Sequence, residues 1–122
     1  MKRCLIVDDS RVIRRVASKI FQELGFEVDE AENGRKALAA LAIRIPEMIL
    51  VDWDMPAMGG LELTVHLRKL PGGNKVAVVF CATENDDVHI RQALEAGADE
   101  YIMKPFDGEI VRSKLVLLGL LD

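Results

Sequence analysis

The sequence predicts an α/β domain with a doubly wound, five-stranded parallel sheet in the strand order 2-1-3-4-5. Short apolar runs typical of strands alternate along the 122 residues with segments of helical periodicity. The central runs are almost wholly apolar, which is typical of parallel strands that helices cover on both faces. Right-handed crossover connections then leave few topologies for a chain of this length.

The first two strand–helix pairs occupy the amino-terminal part of the chain. The apolar run Cys4–Val7 predicts a strand that two aspartates stop. Residues 10–24 carry apolar side chains at helical spacing. The alternation over Glu27–Ala31 predicts a second, partly exposed strand, and a helix over Lys36–Ile43 follows it.

Three further pairs repeat the alternation. Strands are predicted over 48–51, 76–81 and 99–103, and helices over 61–70, 85–96 and from about 108 to 118. Breakers such as Pro71-Gly72-Gly73-Asn74 separate them, and Asn85-Asp86-Asp87 supplies capping residues for the fourth helix. The whole chain, 1–122, is therefore expected to be a single domain.

Composition narrows the classes of function. Acidic residues outnumber basic ones, 20 to 16, whereas a duplex-binding domain would more often carry a basic excess, so we expect no direct DNA binding. Cys4 and Cys81 lie inside apolar runs without metal-ligand spacing, which predicts buried free thiols. Because no signal peptide or membrane span is visible, we expect a cytoplasmic protein.

Three aspartates follow strands that the predicted topology makes neighbours. Asp8 and Asp9 end the first strand, and Asp52 ends the third. In such a sheet, ligands bind beyond the carboxyl ends of the strands, at the point where the strand order reverses. Converging carboxylates repel one another unless a cation joins them, and Mg²⁺ prefers oxygen ligands of this kind. The alternative is that these aspartates only cap helices.

Lys104 ends the fifth predicted strand, directly before Pro105. From that position its ammonium group can reach the acidic crevice as a fixed positive charge toward a phosphate or a carboxylate. The alternative is a solvated surface lysine. Both isomers of the Lys104–Pro105 peptide bond are open from the sequence.

Four motifs together resemble one known family. They are Leu5-Ile6-Val7-Asp8-Asp9-Ser10, Val51-Asp52-Trp53-Asp54-Met55-Pro56, Ala96-Gly97-Ala98-Asp99-Glu100-Tyr101 and Lys104-Pro105-Phe106. The chain resembles, over essentially its whole length, a response-regulator receiver domain of two-component signalling, of the stand-alone CheY-like type. This resemblance implies the flavodoxin-like (βα)5 fold and a signalling function.

The resemblance also implies roles for individual residues. Asp52 matches the aspartate that is phosphorylated in the family. Asp9 and Asp52 match the side chains that hold Mg²⁺, with Asp8 assisting through water. The backbone carbonyl of Asp54 matches the third protein ligand, and Lys104 matches the lysine that pairs with the phosphoryl group.

The implied partners are other proteins. A histidine kinase or a histidine phosphotransfer protein would donate the phosphoryl group. A target would bind the face formed by helix 4, strand 5 and helix 5, where Tyr101 matches the aromatic residue whose rotamer reports the switched state. A homodimer is a further possibility. The resemblance implies receiver-assisted phosphoryl transfer and autodephosphorylation rather than a conventional enzyme.

One position departs from the family pattern. The family carries Thr or Ser at the end of strand 4, and counting from Asp52 and Lys104 places Ala82 there. In one interpretation the hydroxyl is missing and switching is weakened or rerouted. In the other, the backbone shifts by one residue and Thr83 substitutes. We favour the first, because side chains alternate in direction along a strand.

The sequence therefore leaves three functions open. The first is a phosphorylation switch, and the second is a phosphate sink or shuttle, which the missing hydroxyl favours. The third is a phosphorylation-independent binding module, which the complete set of acidic residues and Lys104 disfavours. Trp53 is either an exposed anchor for a partner or partly buried over the loop. His66 and His89 are isolated on predicted helices, and we expect no metal at either.

Overall fold

The computed structural model describes residues 1–53, 55–83 and 87–122. Its elements are, in chain order, β1 (Arg3–Val7), α1 (Arg11–Glu23), β2 (Glu27–Ala31), α2 (Gly34–Ile43), β3 (Met48–Asp52), α3 (Gly60–Lys69), a 3-10 turn (Gly73–Lys75), β4 (Ala77–Ala82), α4 (Asp87–Ala96), β5 (Glu100–Met103) and α5 (Gly108–Leu117). The strands form one parallel sheet in the order β2-β1-β3-β4-β5, which confirms the predicted fold.

The element boundaries lie within two residues of the predicted ones, and those of β2 are the same. β3 and β4 each continue one residue further, so Asp52 and Ala82 are the last residues of their strands. The 3-10 turn was not predicted, because its glycines indicated only a break in the chain. Asn85 and Asp86, the predicted caps of α4, lie outside the described residues.

Two apolar clusters cover the two faces of the sheet. Along β1, Leu5 and Val7 belong to one cluster while Cys4 and Ile6 belong to the other, since successive side chains of a strand point to opposite faces. The first cluster also contains Ala37, Leu41, Leu63, Leu67 and Ala93 of α2, α3 and α4. The second contains Ala17, Phe21, Val111 and Leu115 of α1 and α5.

Both cysteines are buried and free, as predicted. Burial raises the pKa of the Cys81 thiol to about 12 and also raises the pKa of Cys4. The thiolate is the reactive form of cysteine. Both side chains therefore act as small apolar groups of the core rather than as nucleophiles.

The pairing of β1 with β3 determines where the site forms. Val7 lies opposite Val51 in this parallel register, so the residue after each of them lies at the same edge of the sheet. β3 is buried along its whole length, and Asp8 is also buried. Asp8 and Asp52 are therefore held side by side by two of the best-packed strands in the described part of the chain.

The guanidinium group of Arg68 joins three segments on the opposite edge. It donates hydrogen bonds to the backbone carbonyls of Gly73, Val76 and Gly97 and forms an ion pair of 3.0 Å with Asp99. Its side chain is only 18% exposed. Arg68 thus fixes the carboxyl-terminal end of α4 against α3 and the start of β4, a role that its sequence position did not indicate.

In the described ranges, no helix is both long enough and apolar enough to cross a membrane. The α1 helix, for example, has 13 residues, whereas a span needs about 20 that are mainly apolar. The cytoplasmic location stays a prediction from the sequence.

Replacing Arg68 with Ala should lower the free energy of unfolding by about 2–4 kcal/mol, because buried carbonyls lose a charged donor. Urea denaturation of the purified chain measures the change. Lys69→Ala, at the exposed neighbouring position, is the matched control and should change stability by no more than about 0.5 kcal/mol. Equal stability of the two variants would contradict this role for Arg68.

Candidate functional site

Three carboxylates meet beyond the carboxyl ends of β1 and β3. One oxygen each of Asp8, Asp9 and Asp52 lies within 4.8 Å of the others. Asp8 and Asp52 are 3% and 7% exposed, while Asp9 is exposed to solvent. The structure thus brings together the three aspartates that the sequence singled out, at the predicted edge of the sheet.

Lys104 reaches this cluster from the end of β5. Its Nζ lies 2.9 Å from Asp8 Oδ2 and 3.1 Å from Asp52 Oδ1, and its side chain is 16% exposed. Its backbone N–H donates to the carbonyl of Ala82, which anchors the residue to β4. The following peptide bond, to Pro105, is cis. Lys104 is therefore part of the site and not a solvated surface residue.

The charges of these four groups do not balance. Three carboxylates face one ammonium group, which leaves an excess of two negative charges when all are ionised. Burial raises the pKa of Asp52, and the charges of Asp8 and Asp9 add to the rise, against the hydrogen bond from Lys104. Burial disfavours the charged lysine, but its bonds to Asp8 and Asp52 prevail and raise the pKa of Lys104.

Asp8 is the most firmly held of the three aspartates. Its Oδ1 accepts from the backbone N–H of Ser10 at 2.9 Å, and its Oδ2 accepts from Lys104. Arg14 donates to its backbone carbonyl at 2.8 Å and also pairs with Glu30. Both oxygens of Asp8 are thus engaged by the protein, which suits an indirect role beside a cation.

The donor set matches the chemistry of Mg²⁺. This ion takes oxygen ligands, commonly one or two carboxylates, and keeps several waters. Asp9 and Asp52 supply two such carboxylates, and the exposure of Asp9 leaves room for water. The backbone carbonyl of Asp54, predicted as a third ligand, lies outside the described residues.

Trp53 links the end of β3 to its surroundings. Its backbone N–H donates to the carbonyl of Cys81 at 2.9 Å, and its half-buried ring meets Phe80 edge-on with the ring centroids 5.5 Å apart. The ring of His89, on α4, lies 5.1 Å away on the same measure. Of the two interpretations of Trp53, partial burial is the one observed.

Gly60 allows α3 to begin close to Asp52. A Cβ atom at Gly60 would lie 2.6 Å from the carbonyl oxygen of Asp52, closer than such atoms approach. Its backbone N–H donates to the carbonyl of Trp53 at 3.1 Å. The absence of a side chain at this position is therefore a packing requirement of the site.

A family model for the response regulator receiver domain matches residues 4–116. The chain belongs to this receiver family. Such domains are signalling proteins of two-component systems rather than conventional enzymes.

Individual receivers resemble the chain over nearly its full length. The chemotaxis protein CheY1 of Helicobacter pylori is 36% identical over 123 residues, covering 98% of this chain and 99% of that protein. A CheY homolog of Campylobacter jejuni is 35% identical, covering 93% and 88%. The structure of chemotaxis protein CheY4 of Vibrio cholerae superposes with a TM-score of 0.92 at 31% identity, over 96% and 98% of the two chains.

This receiver carries Ala82 where the sequence pattern of the family led us to expect a hydroxyl. Ala82 is buried and pairs with Met103 in the regular register of β4 with β5. Thr83 follows the strand and is exposed. Because the strand pairing runs through Ala82 without an inserted residue, this geometry favours the interpretation in which the hydroxyl is missing.

Tyr101 lies on β5, opposite Phe80 of β4. Its ring packs against the apolar cluster on the α2, α3 and α4 side of the sheet, and its hydroxyl oxygen is buried. The residue that would report switching therefore has its ring turned inward in this structure.

Replacing Asp52 with Asn should raise the free energy of unfolding in metal-free buffer at neutral pH by on the order of 1 kcal/mol, because a buried like charge is removed. The raised pKa of Asp52 fixes the sign of the pH effect. Its contribution to stability is present below the ordinary carboxyl pKa and is lost as the pH rises through the folded-state pKa. The gain should therefore shrink on acidification.

Thermal unfolding of the parent and of Asp52→Asn, measured from acidic to neutral pH with chelator present, tests the effect. Asp122→Asn, an exposed carboxylate at the end of the chain, is the control and should change little. An Asp52→Asn protein less stable than the parent at neutral pH would show that the repulsion is absent.

Proposed function

We propose that this chain, as one domain over residues 1–122, is a single-domain response regulator. It accepts a phosphoryl group on Asp52, with Mg²⁺, from the phosphohistidine of a histidine kinase or a histidine phosphotransfer protein. It then signals through protein–protein contacts. The observation that carries the proposal is the buried Asp52 carboxylate with Lys104 on one oxygen and two further carboxylates within 4.8 Å.

The transfer is a substitution at phosphorus. A carboxylate oxygen of Asp52 forms the new P–O bond while the P–N bond to the donor imidazole breaks. The electron pair of that bond stays on the ring nitrogen, and the ring, already protonated on its other nitrogen, leaves as neutral imidazole. A carboxylate is a weak nucleophile, so positioning and charge stabilisation must supply most of the rate. Asp52 is well positioned because β3 buries it and Gly60 holds α3 against its carbonyl.

Lys104 supplies fixed positive charge beside the acceptor oxygen. Its ammonium group is held by Asp8 and Asp52 before any phosphoryl group arrives, so the positive charge is already in place at the site. Asp9 and Asp52 would hold Mg²⁺, with Asp8 assisting through water and the carbonyl of residue 54 as a further ligand. When bound, the metal neutralises charge on the transferring phosphoryl oxygens.

The product is an acyl phosphate, which water hydrolyses in the same site. The signal is therefore self-limiting, and the domain returns to its starting state without another enzyme. This autodephosphorylation belongs to the same proposal, because the groups that stabilise charge during transfer also stabilise it during hydrolysis.

The face of α4, β5 and α5 is the proposed output surface. A groove of about 440 Å³ runs along it, lined by Ile90, Tyr101, Met103 and Ile110 among others. Lys114 pairs with Glu100 at 3.2 Å on the same face. A target protein is the proposed occupant, and a second copy of the chain is the alternative. The chemotaxis names of the relatives make chemotaxis the first pathway to test.

A phosphate sink or shuttle is the second candidate. The regular strand pairing through Ala82 favours it, because a sink needs the phosphoryl chemistry but little switching. The two candidates share every residue of the acidic site. They differ in whether phosphorylation changes α4 and the output surface.

Beryllofluoride, a phosphoryl mimic, should bind only with Mg²⁺ present and should raise the melting temperature. A ligand at one hundred times its Kd stabilises the folded state by about 2.7 kcal/mol. Differential scanning calorimetry with Mg²⁺ alone, beryllofluoride alone and both measures the effect. Asp52→Asn is the control and should lose the response, whereas His66→Ala should keep it. Equal stabilisation of Asp52→Asn would contradict the assignment of Asp52.

A further inference from the structure

The contact between Trp53 and His89 joins the phosphoryl-acceptor strand directly to α4. Trp53 follows Asp52 in sequence, and His89 lies near the start of α4. Their ring centroids are 5.1 Å apart with a 60° angle between the rings. This distance is within the range of attractive aromatic contacts.

The position of Trp53 is fixed relative to the end of β3. Its backbone is fixed on both sides, since its N–H donates to Cys81 and its carbonyl accepts from Gly60. The ring itself packs edge-on against Phe80 of β4. Trp53 is therefore held at the end of β3 both by its backbone hydrogen bonds and by the packing of its ring.

The α4 helix is lightly held to the rest of the domain. Of its described residues, Ala93 is the buried one, while Val88 and Leu94 are 60% and 53% exposed. Its carboxyl-terminal end is fixed, because Arg68 donates two hydrogen bonds to the carbonyl of Gly97. His89 lies near the other end of the helix, away from this anchor.

We propose that the Trp53–His89 contact conveys the state of the Asp52 site to α4 in this chain. The inference rests on the proposed function. It also accounts for a signal despite Ala82, since the acceptor strand reaches α4 through Trp53 without a hydroxyl at the end of β4. In this proposal Trp53 and His89 act as positioning residues.

The test separates binding from transmission. Trp53 is the sole tryptophan of the chain, so its fluorescence gives the affinity for beryllofluoride with Mg²⁺ in each variant that keeps it. Amide NMR gives the response of residues 88–95. The Cα shifts measured before ligand is added show whether α4 stays helical in each variant. His89→Ala should keep the helix, because alanine has a high helix propensity.

In the parent protein, beryllofluoride should shift the α4 amides. His89→Ala should reduce these shifts by about threefold or more while beryllofluoride still binds and the amides around Asp9 and Lys104 still respond. His89→Phe keeps a ring and should keep the α4 response. His66→Ala removes the other histidine, which is exposed on α3, and should behave like the parent.

The outcomes separate a failure of the Trp53–His89 contact from a failure of the proposed function. If His89→Ala binds beryllofluoride and still shows the full α4 shifts, the ring contact does not convey the signal. If His89→Phe loses these shifts as well, the ring is not the feature that matters. A parent protein that binds beryllofluoride without any α4 shift would overturn the inference and leave a sink. Absence of binding in the parent would instead reject the proposed function.

Discussion

The parallel pairing of β1 with β3 is the constraint on which the site depends. It places Asp8 beside Asp52 at one edge of the sheet, because Val7 and Val51 are partners and each aspartate is the next residue of its own segment. Apolar packing on both faces fixes these strands, so the backbones of Asp8 and Asp52 stay close together despite the repulsion between their carboxylates. Lys104 offsets part of that repulsion.

This arrangement lowers the stability of the fold and prepares the site for reaction. Burial and like charge raise the pKa of Asp52, so the ionised metal-free site is held together by the rest of the fold. Lys104 neutralises only part of the negative charge at the site, and a bound cation or phosphoryl group changes what remains. The same imbalance that costs folding free energy therefore favours the binding of a cation. A switch also requires that the bound group interact differently with two conformations of the domain.

The sequence could predict the sheet and the acidic cluster because both depend on local patterns. Apolar runs indicate strands, and residues at strand ends meet once the strand order is known, as Asp8 and Asp52 do. The role of Arg68 and the meeting of Trp53 with His89 depend on how helices pack over the sheet, and no spacing in the sequence encodes that. The alternation of side chains already favoured Ala82 over Thr83, and the observed strand register supports the same interpretation.

The most direct test of the account is to locate the phosphoryl group after incubation with acetyl phosphate and Mg²⁺. Intact mass spectrometry counts the groups, and borohydride reduction followed by peptide mapping identifies the modified aspartate. The account predicts a single phosphoryl group on Asp52, lost when Mg²⁺ is chelated and absent from Asp52→Asn. Labelling of Asp52→Asn to the same extent, or a parent protein that stays unmodified, would contradict it.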